Sequence, residues 1–179
     1  MPELEEDQPD ISLHMPLLEE LASKSAVILE LGVGKGNGST RAFARGIAKS
    51  PRKDKLYVSV DFDTDRPHEC PDLPYWHMVY GRTEDPRTAA KIFSIIWARI
   101  VDIIFIDTHH TYEQLEAELA IWSSFASSET VWIFHDTHMF GTYNTMTDSI
   151  KDYCVEHPEW EYVEITPDSH GLGMMRWRS

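Results

Sequence analysis

Ala26-Val27-Ile28-Leu29-Glu30-Leu31-Gly32-Val33-Gly34-Lys35-Gly36-Asn37-Gly38-Ser39-Thr40 joins an apolar run, a glycine-punctuated turn and the start of a helical pattern. The apolar run from Ala26 is uncharged until Glu30, as expected of a strand covered on both faces. Further runs of the same kind follow at Leu56–Asp61, Tyr75–Tyr80, Val101–Ile106 and Thr130–Phe134. Helical periodicity at Ser39–Lys49, Pro86–Arg99 and Thr111–Ser124 alternates with them, which predicts a parallel sheet with helices on both faces. Phe62–Pro74 contains Pro67, Pro71 and Pro74, so it cannot hold a crossover helix and is expected to form an ordered loop near the site. A helix over Asn144–Val155 leads to Trp160–Ile165, a Pro167-Asp168 turn and Gly171–Trp177. Two strands so close in sequence predict an antiparallel hairpin at one sheet edge. The fold class is therefore a doubly wound, Rossmann-like seven-stranded α/β sheet with an antiparallel C-terminal hairpin. Upstream, Ile11–Ser23 reads as a short amphipathic helix at the edge of the domain.

Composition bounds the rest. With 179 residues and 42% hydrophobic content, the chain suits one domain. Residues 1–10 read as an acidic tail and 11–179 as the domain. Lys and Arg number 16 against 30 Asp and Glu, a formal net charge of -14. No basic stripe could neutralise a phosphate backbone, which argues against nucleic acid and anionic membrane as partners. Apolar runs such as Val101–Ile106 fall far short of a bilayer span. The start, Met1-Pro2-Glu3-Leu4-Glu5-Glu6-Asp7, is acidic where a secretory signal is basic, so a cytoplasmic location is expected. Cys70 and Cys154 read as free thiols in a reducing compartment.

The glycine turn lies where open α/β sheets bind ligands. Counting from Gly32 and Gly34, the dinucleotide fingerprint needs a third glycine where Asn37 stands, and a phosphate loop needs Ser or Thr after Lys35, where Gly36 stands. Glu30 at the strand end would repel a pyrophosphate yet balance a cationic ligand. Asp61 at the next strand end is an acceptor for both hydroxyls of a ribose. Together they suit an adenosyl ligand without phosphate and with positive charge, such as S-adenosylmethionine.

Glu30-Leu31-Gly32-Val33-Gly34-Lys35-Gly36 and Asp61 resemble motif I and the ribose-binding acid of class I methyltransferases, a likeness extending from about Ala26 to Trp177. It implies cofactor contacts from Glu30, Gly32, Gly34, Gly36, Asn37, Ser39, Thr40 and Asp61. By position alone, Arg82 and Thr83 in Gly81-Arg82-Thr83-Glu84-Asp85 would meet the adenine.

Two further strand ends carry chemistry: Ile106-Asp107-Thr108-His109-His110-Thr111-Tyr112-Glu113 and Phe134-His135-Asp136-Thr137-His138. Adjacent parallel strands can bring Asp107 and Asp136 to one hard divalent cation such as Mg2+, with coordination positions left for substrate oxygens. His110, three residues beyond Asp107, is placed to take a hydroxyl proton. Ile106-Asp107, His110, Tyr112 and His135-Asp136-Thr137 resemble segments of the subfamily that holds macrocin and other sugar O-methyltransferases and the cephalosporin-hydroxylase-like proteins. His170-Gly171-Leu172-Gly173 is similar to a terminal strand of that group. The resemblance implies Asp107 and Asp136 as metal ligands, Asp107 also beside the cofactor, and His110 as the base. Where some relatives carry glutamate, His135 stands as a third candidate ligand. His109 and His138 are weaker candidates for metal or substrate contact.

Trp97, Trp122 and Trp132 are expected in the core, Trp76 and Tyr143 along an acceptor pocket, and Glu113, Glu116 and Glu118 on a solvated helix face. The expected activity is divalent-metal-assisted O-methylation of a small hydroxylated acceptor, a sugar or other natural product. A non-catalytic S-adenosylmethionine-binding protein and a metal-independent N- or O-methyltransferase are the alternatives. With little chain ahead of the first strand, the acceptor pocket is either open or completed by a second subunit of a homo-oligomer.

Overall fold

In the computed structural model, which describes residues 10–64, 71–139 and 145–178, strands and helices alternate along the chain. A 3-10 turn at Asp10–Leu13 precedes α1 (Met15–Ala22), so the expected first helix is split ahead of Pro16. Then come β1 (Val27–Leu31), α2 (Ser39–Lys49), β2 (Leu56–Asp61), β3 (Trp76–Tyr80), α3 (Pro86–Ile96), β4 (Ile103–Ile106) and α4 (Tyr112–Trp122). β5 (Val131–His135), α5 (Met146–Glu156), β6 (Trp160–Thr166) and β7 (Leu172–Trp177) complete the chain. The seven strands form one sheet in the order β3-β2-β1-β4-β5-β7-β6. Strands β1 to β5 pair in parallel, and β7 runs antiparallel to both β5 and β6. This is the doubly wound sheet with its edge hairpin that the apolar runs predict.

Strand residues alternate between two cores. Leu29, Leu31, Ile104, Ile106, Trp132 and Phe134 face α3, α4 and α5. Ile28, Ile103, Phe105 and Ile133 face α1 and α2. Full burial on both faces is why these strands read as unbroken apolar runs. Local signals set the helix starts: Asp85 caps α3 ahead of Pro86, Thr111 caps α4, and Thr145 with Asp148 forms a capping box on α5. The start of β1 is held by Asp102, whose Oδ2 accepts from Ala26 N and Val27 N, both at 2.7 Å.

Three expectations change. Helix α3 stops at Ile96, because Trp97 and Ala98 adopt left-handed φ of 43° and 57°. The indole of Trp97 is thereby turned outward, 76% exposed, while Trp122 and Trp132 are fully buried. Trp76 lies at the N-terminal start of β3, packs against the α2-side core and donates Nε1–H to Ser59 Oγ at 3.0 Å. It therefore sits away from the strand ends where an acceptor would bind. Tyr143, Cys70 and the tail at 1–9 lie outside the described residues, as does 65–70 of the proline-rich connection; its described flanks, 62–64 and 71–75, contain no helix.

The α1–α2 contact depends on Gly46. A Cβ there would sit 2.3 Å from the Glu19 carbonyl oxygen and 2.5 Å from Ala22 Cβ. Gly46→Ala must push the helices apart, and urea unfolding should show a loss of about 1–3 kcal/mol despite alanine's better helix propensity.

Candidate active site

The C-terminal ends of β1, β2 and β4 and the loop after β3 enclose a cavity of about 430 Å³, within the range of small-ligand sites. It lies on both sides of β1, where the sheet reverses its winding. Gly32, Gly34, Asp61, Arg82, Thr83 and Asp107 line it, as do Phe62, Asp63, Glu84, Thr108, His109 and Gln114, to which sequence reading gave no cofactor role.

The turn after β1 is shaped by two different demands. Gly32 has φ +89°, and a Cβ would stand 1.8 Å from the Asp107 carbonyl oxygen, so the glycine exists to let β1 and β4 converge. Gly34 has φ +56° with open space where its Cβ would be, and leaves the cavity floor as bare backbone. Asp61 fastens this turn: its Oδ2 accepts from Val33 N and Gly34 N, both at 3.0 Å, and Oδ1 accepts from Asp63 N at 2.9 Å. Of the roughly four acceptor positions of a carboxylate, three are filled, and the remaining capacity is on Oδ1.

Glu30, expected to face a cationic ligand, does not reach the cavity. Its side chain is fully buried on the α2 side. Oε1 accepts from Ser39 Oγ (2.7 Å) and Thr40 Oγ1 (2.9 Å), and Oε2 accepts from Tyr57 OH (2.5 Å) and Ser59 Oγ (2.7 Å). Burial pushes the Glu30 carboxyl above its ordinary pKa, against the pull of these hydroxyls. Ser39 and Thr40 are likewise committed to Glu30, and Gly36 and Asn37 are not among the cavity-lining residues. The physical reason is strand alternation: Leu31 points to the α3–α5 face, so Glu30 must point to the other. The carboxylate anchors the first turn of α2 and braces the glycine turn from beneath.

Beside the cavity, β4 and β5 deliver the carboxylate–imidazole cluster. Asp107, His110 and Asp136 each offer a ligand atom within 4.8 Å of the others. His110 Nε2 is 3.1 Å from Asp107 Oδ1 and 3.4 Å from Asp136 Oδ2. His135 Nδ1 lies 3.3 Å from Asp107 Oδ1 and 3.2 Å from Asp136 Oδ1, and its side chain is 1% exposed against 15% for His110. Burial pushes the Asp107 carboxyl up, but hydrogen bonds from His110 and His135 outweigh it and hold the group down at about 2. Asp107 is thus an anion at any working pH. Asp136 adopts φ +59°, a left-handed strand exit that aspartate tolerates better than most residues. His14, just before α1, packs edge-on against His135 with ring centroids 5.5 Å apart, and His170 on the hairpin turn brings Nδ1 within 3.6 Å of Asp136 Oδ1. His109 lines the cavity. His138 instead pairs with Glu164 at 2.8 Å, away from the cluster.

Glu118, assigned above to a solvated face, is fully buried. It accepts from Thr83 Oγ1, from Thr108 Oγ1 at 3.0 Å and from Gln114 Nε2 at 2.8 Å. Helix α4 shows little amphipathic contrast, so no sequence periodicity marks Glu118 as internal. Trp122, one turn on, donates Nε1–H to the Thr83 carbonyl at 2.9 Å and ties the loop after β3 to α4. Arg82 stays at the rim, paired with Glu84 at 3.0 Å and 5.7 Å above the Phe62 ring.

Comparison with known proteins follows the same outline. Residues 29–137 match a family model described as a methyltransferase domain. No curated protein matches the chain in sequence. Among solved structures, a Podospora anserina methyltransferase with bound S-adenosylhomocysteine (SAH) superposes with TM-score 0.69 at 12% identity, over 93% of this chain and 79% of its own. An O-methyltransferase from Bacillus cereus in complex with SAH gives TM-score 0.68 at 18% identity, over 96% and 82%. The MycE methyltransferase of mycinamycin biosynthesis, solved with Mg, SAH and mycinamycin VI, gives 0.64 at 12% identity, over 96% of this chain and 55% of its own. At these identities the likeness is one of fold. The family match spans more than half the chain, from β1 to the residue after Asp136, and takes in every element that forms the cavity: this protein belongs to the methyltransferase domain family.

Proposed function

We propose that the protein is an S-adenosylmethionine-dependent O-methyltransferase acting on a small hydroxylated acceptor with the help of a divalent cation. The observation that carries this reading is the placement of Asp107, Asp136 and His110 at one edge of a cavity floored by the glycine turn and Asp61. S-adenosylmethionine fits the residues present: Gly34 leaves bare backbone for close approach, and Asp61 Oδ1 retains capacity for a ribose hydroxyl. When bound, the cofactor supplies a methyl group on a sulfonium, which departs as a neutral thioether.

A cation fits as well, because two carboxylates of adjacent strand ends supply hard oxygen donors facing one point. Asp107 and Asp136 would hold it, and it would supply Lewis acidity that lowers the acceptor hydroxyl's pKa. His110, the more accessible imidazole, would take the hydroxyl proton at a ring nitrogen that carries none, so Nε2 serves as the base only in the tautomer that no longer donates to Asp107. His135, almost wholly buried, orients Asp107 through Nδ1, with Asp136 Oδ1 3.2 Å from the same atom. The nearby imidazoles favour Mn2+ as well as Mg2+. That same His135 contact favours a second reading, a metal-independent methyltransferase, since it gives Asp107 a hydrogen-bond partner without a cation. MycE, solved with Mg and mycinamycin VI, and CalS11, described as a TDP-rhamnose 3'-O-methyltransferase, share the fold and support a sugar or natural-product acceptor for this chain.

Calorimetric titration of SAH with and without Mg2+ or Mn2+ tests the reading. Wild type should bind, and Asp61→Ala should weaken binding about 100-fold, because the turn loses its anchor and the ribose its acceptor. Absence of binding under every condition would remove the methyltransferase assignment.

A further inference from the structure

Gln114 occupies an unusual position for an amide. Its Nε2 faces three acceptors: Glu118 Oε1 at 2.8 Å, Glu84 Oε2 at 3.2 Å and Thr83 Oγ1 at 3.3 Å. Thr83 gives its own hydroxyl proton to Glu118 and so can only accept from Gln114. Turning the amide over would place its carbonyl oxygen against two carboxylates, so the nitrogen is held on the protein side. Gln114 is half-buried and lines the cavity, and its carbonyl oxygen is the group left to present there. Beside it, Glu84 is also acceptor-only, with Oε1 engaged by Arg82. Among the described residues at this end of the cavity, Gln114 and Glu84 present acceptors and Arg82, at the rim, a donor.

We propose that Gln114, fixed by the buried Glu118, is a specificity-determining residue that reads the nucleobase edge of the cofactor and selects a base bearing an amino donor over one bearing a carbonyl. The inference rests on the adenosyl-cofactor reading given above. Asp61 sets the ribose end at β2, and the loop after β3 with the start of α4 forms the opposite end, where the base edge would lie. An exocyclic amino group there donates to Gln114 Oε1. A 6-oxo base would set one carbonyl oxygen against another, with no proton between them. Glu118 acts through Gln114 and is a positioning residue. Burial raises its pKa, and three donors directed at it keep it an acceptor.

The test is competitive calorimetry of SAH and its deaminated counterpart, S-inosylhomocysteine, on the full chain. Wild type should favour SAH by about 10-fold or more, the scale of a hydrogen bond lost together with a lone-pair opposition. Gln114→Met, of similar length and good helix propensity, should lower the preference to about 2-fold, chiefly by weakening SAH. Glu118→Gln keeps the shape but puts an amide nitrogen beside Gln114, and should reduce the preference about threefold with the melting temperature little changed. A folded Gln114→Met that keeps the wild-type ratio overturns the inference, as does a wild type that binds both ligands equally. If wild type binds neither, the cofactor reading fails and takes this one with it, an outcome distinct from the other two.

Discussion

Asp107→Asn is expected to leave the protein folded while lowering Mn2+ affinity by about 100-fold, because a neutral amide replaces one of two anionic ligands. Manganese binding followed by electron paramagnetic resonance reads this directly and needs no knowledge of the acceptor. SAH binding should change by only a few-fold, since Asp107 lines the cavity at its edge while the glycine turn and Asp61 remain in place. Once an acceptor is found, turnover should fall by about 10³-fold, the cation's contribution to hydroxyl acidity and the orientation of His110 being lost together. His110→Gln separates these roles: it should keep Mn2+ binding within a few-fold and still lose turnover. Equal Mn2+ affinity in wild type and Asp107→Asn would place the cation elsewhere or nowhere, and would favour the metal-independent reading.

Gly32→Ala should be the most damaging single substitution in the glycine turn. The added methyl would stand 1.8 Å from the Asp107 carbonyl oxygen, and the residue would have to keep φ +89°. Gly32 and the Asp107 carbonyl follow directly on Leu31 and Ile106, the paired ends of β1 and β4, so neither can yield without disturbing that pairing. A loss of about 3 kcal/mol or more follows, large against the stability of an ordinary domain. Gly34→Ala is the control: φ is +56° there, but no described residue lies within 4 Å of the new Cβ, so the left-handed strain of about 1 kcal/mol is the expected cost. Thermal melts of the two variants should differ by several degrees, and equal melts would mean that β1 and β4 do not approach as described.

The two glycines show how far a one-dimensional reading goes. Their spacing announces a tight turn at a strand end. It does not reveal that one serves the close approach of two neighbouring strand ends and the other an open floor, because the partner of Gly32 is Asp107, far away in sequence. Glu30 gives the same lesson from the other side. Its place at a strand end made it a ligand candidate, yet the pleat turned it beneath the turn, where four hydroxyls from two elements, α2 and β2, receive it. Those hydroxyls are individually unremarkable in the sequence. Glu118 and Gln114 sit in a helix with charged residues on several sides, so nothing local distinguishes the buried glutamate from exposed Glu116.

What the sequence determined by itself was therefore whatever depends on period and punctuation. Apolar runs with helical stretches between them dictate a doubly wound sheet, closely spaced final strands dictate a hairpin, and Asp107 and Asp136 at two strand ends can meet if those strands are neighbours. The tertiary structure alone decided which side chains face the cavity and which support it, since that depends on strand pleat, on helix rotation and on partners brought together from distant segments. Direction in space, unlike spacing along the chain, is fixed only when both cores are packed.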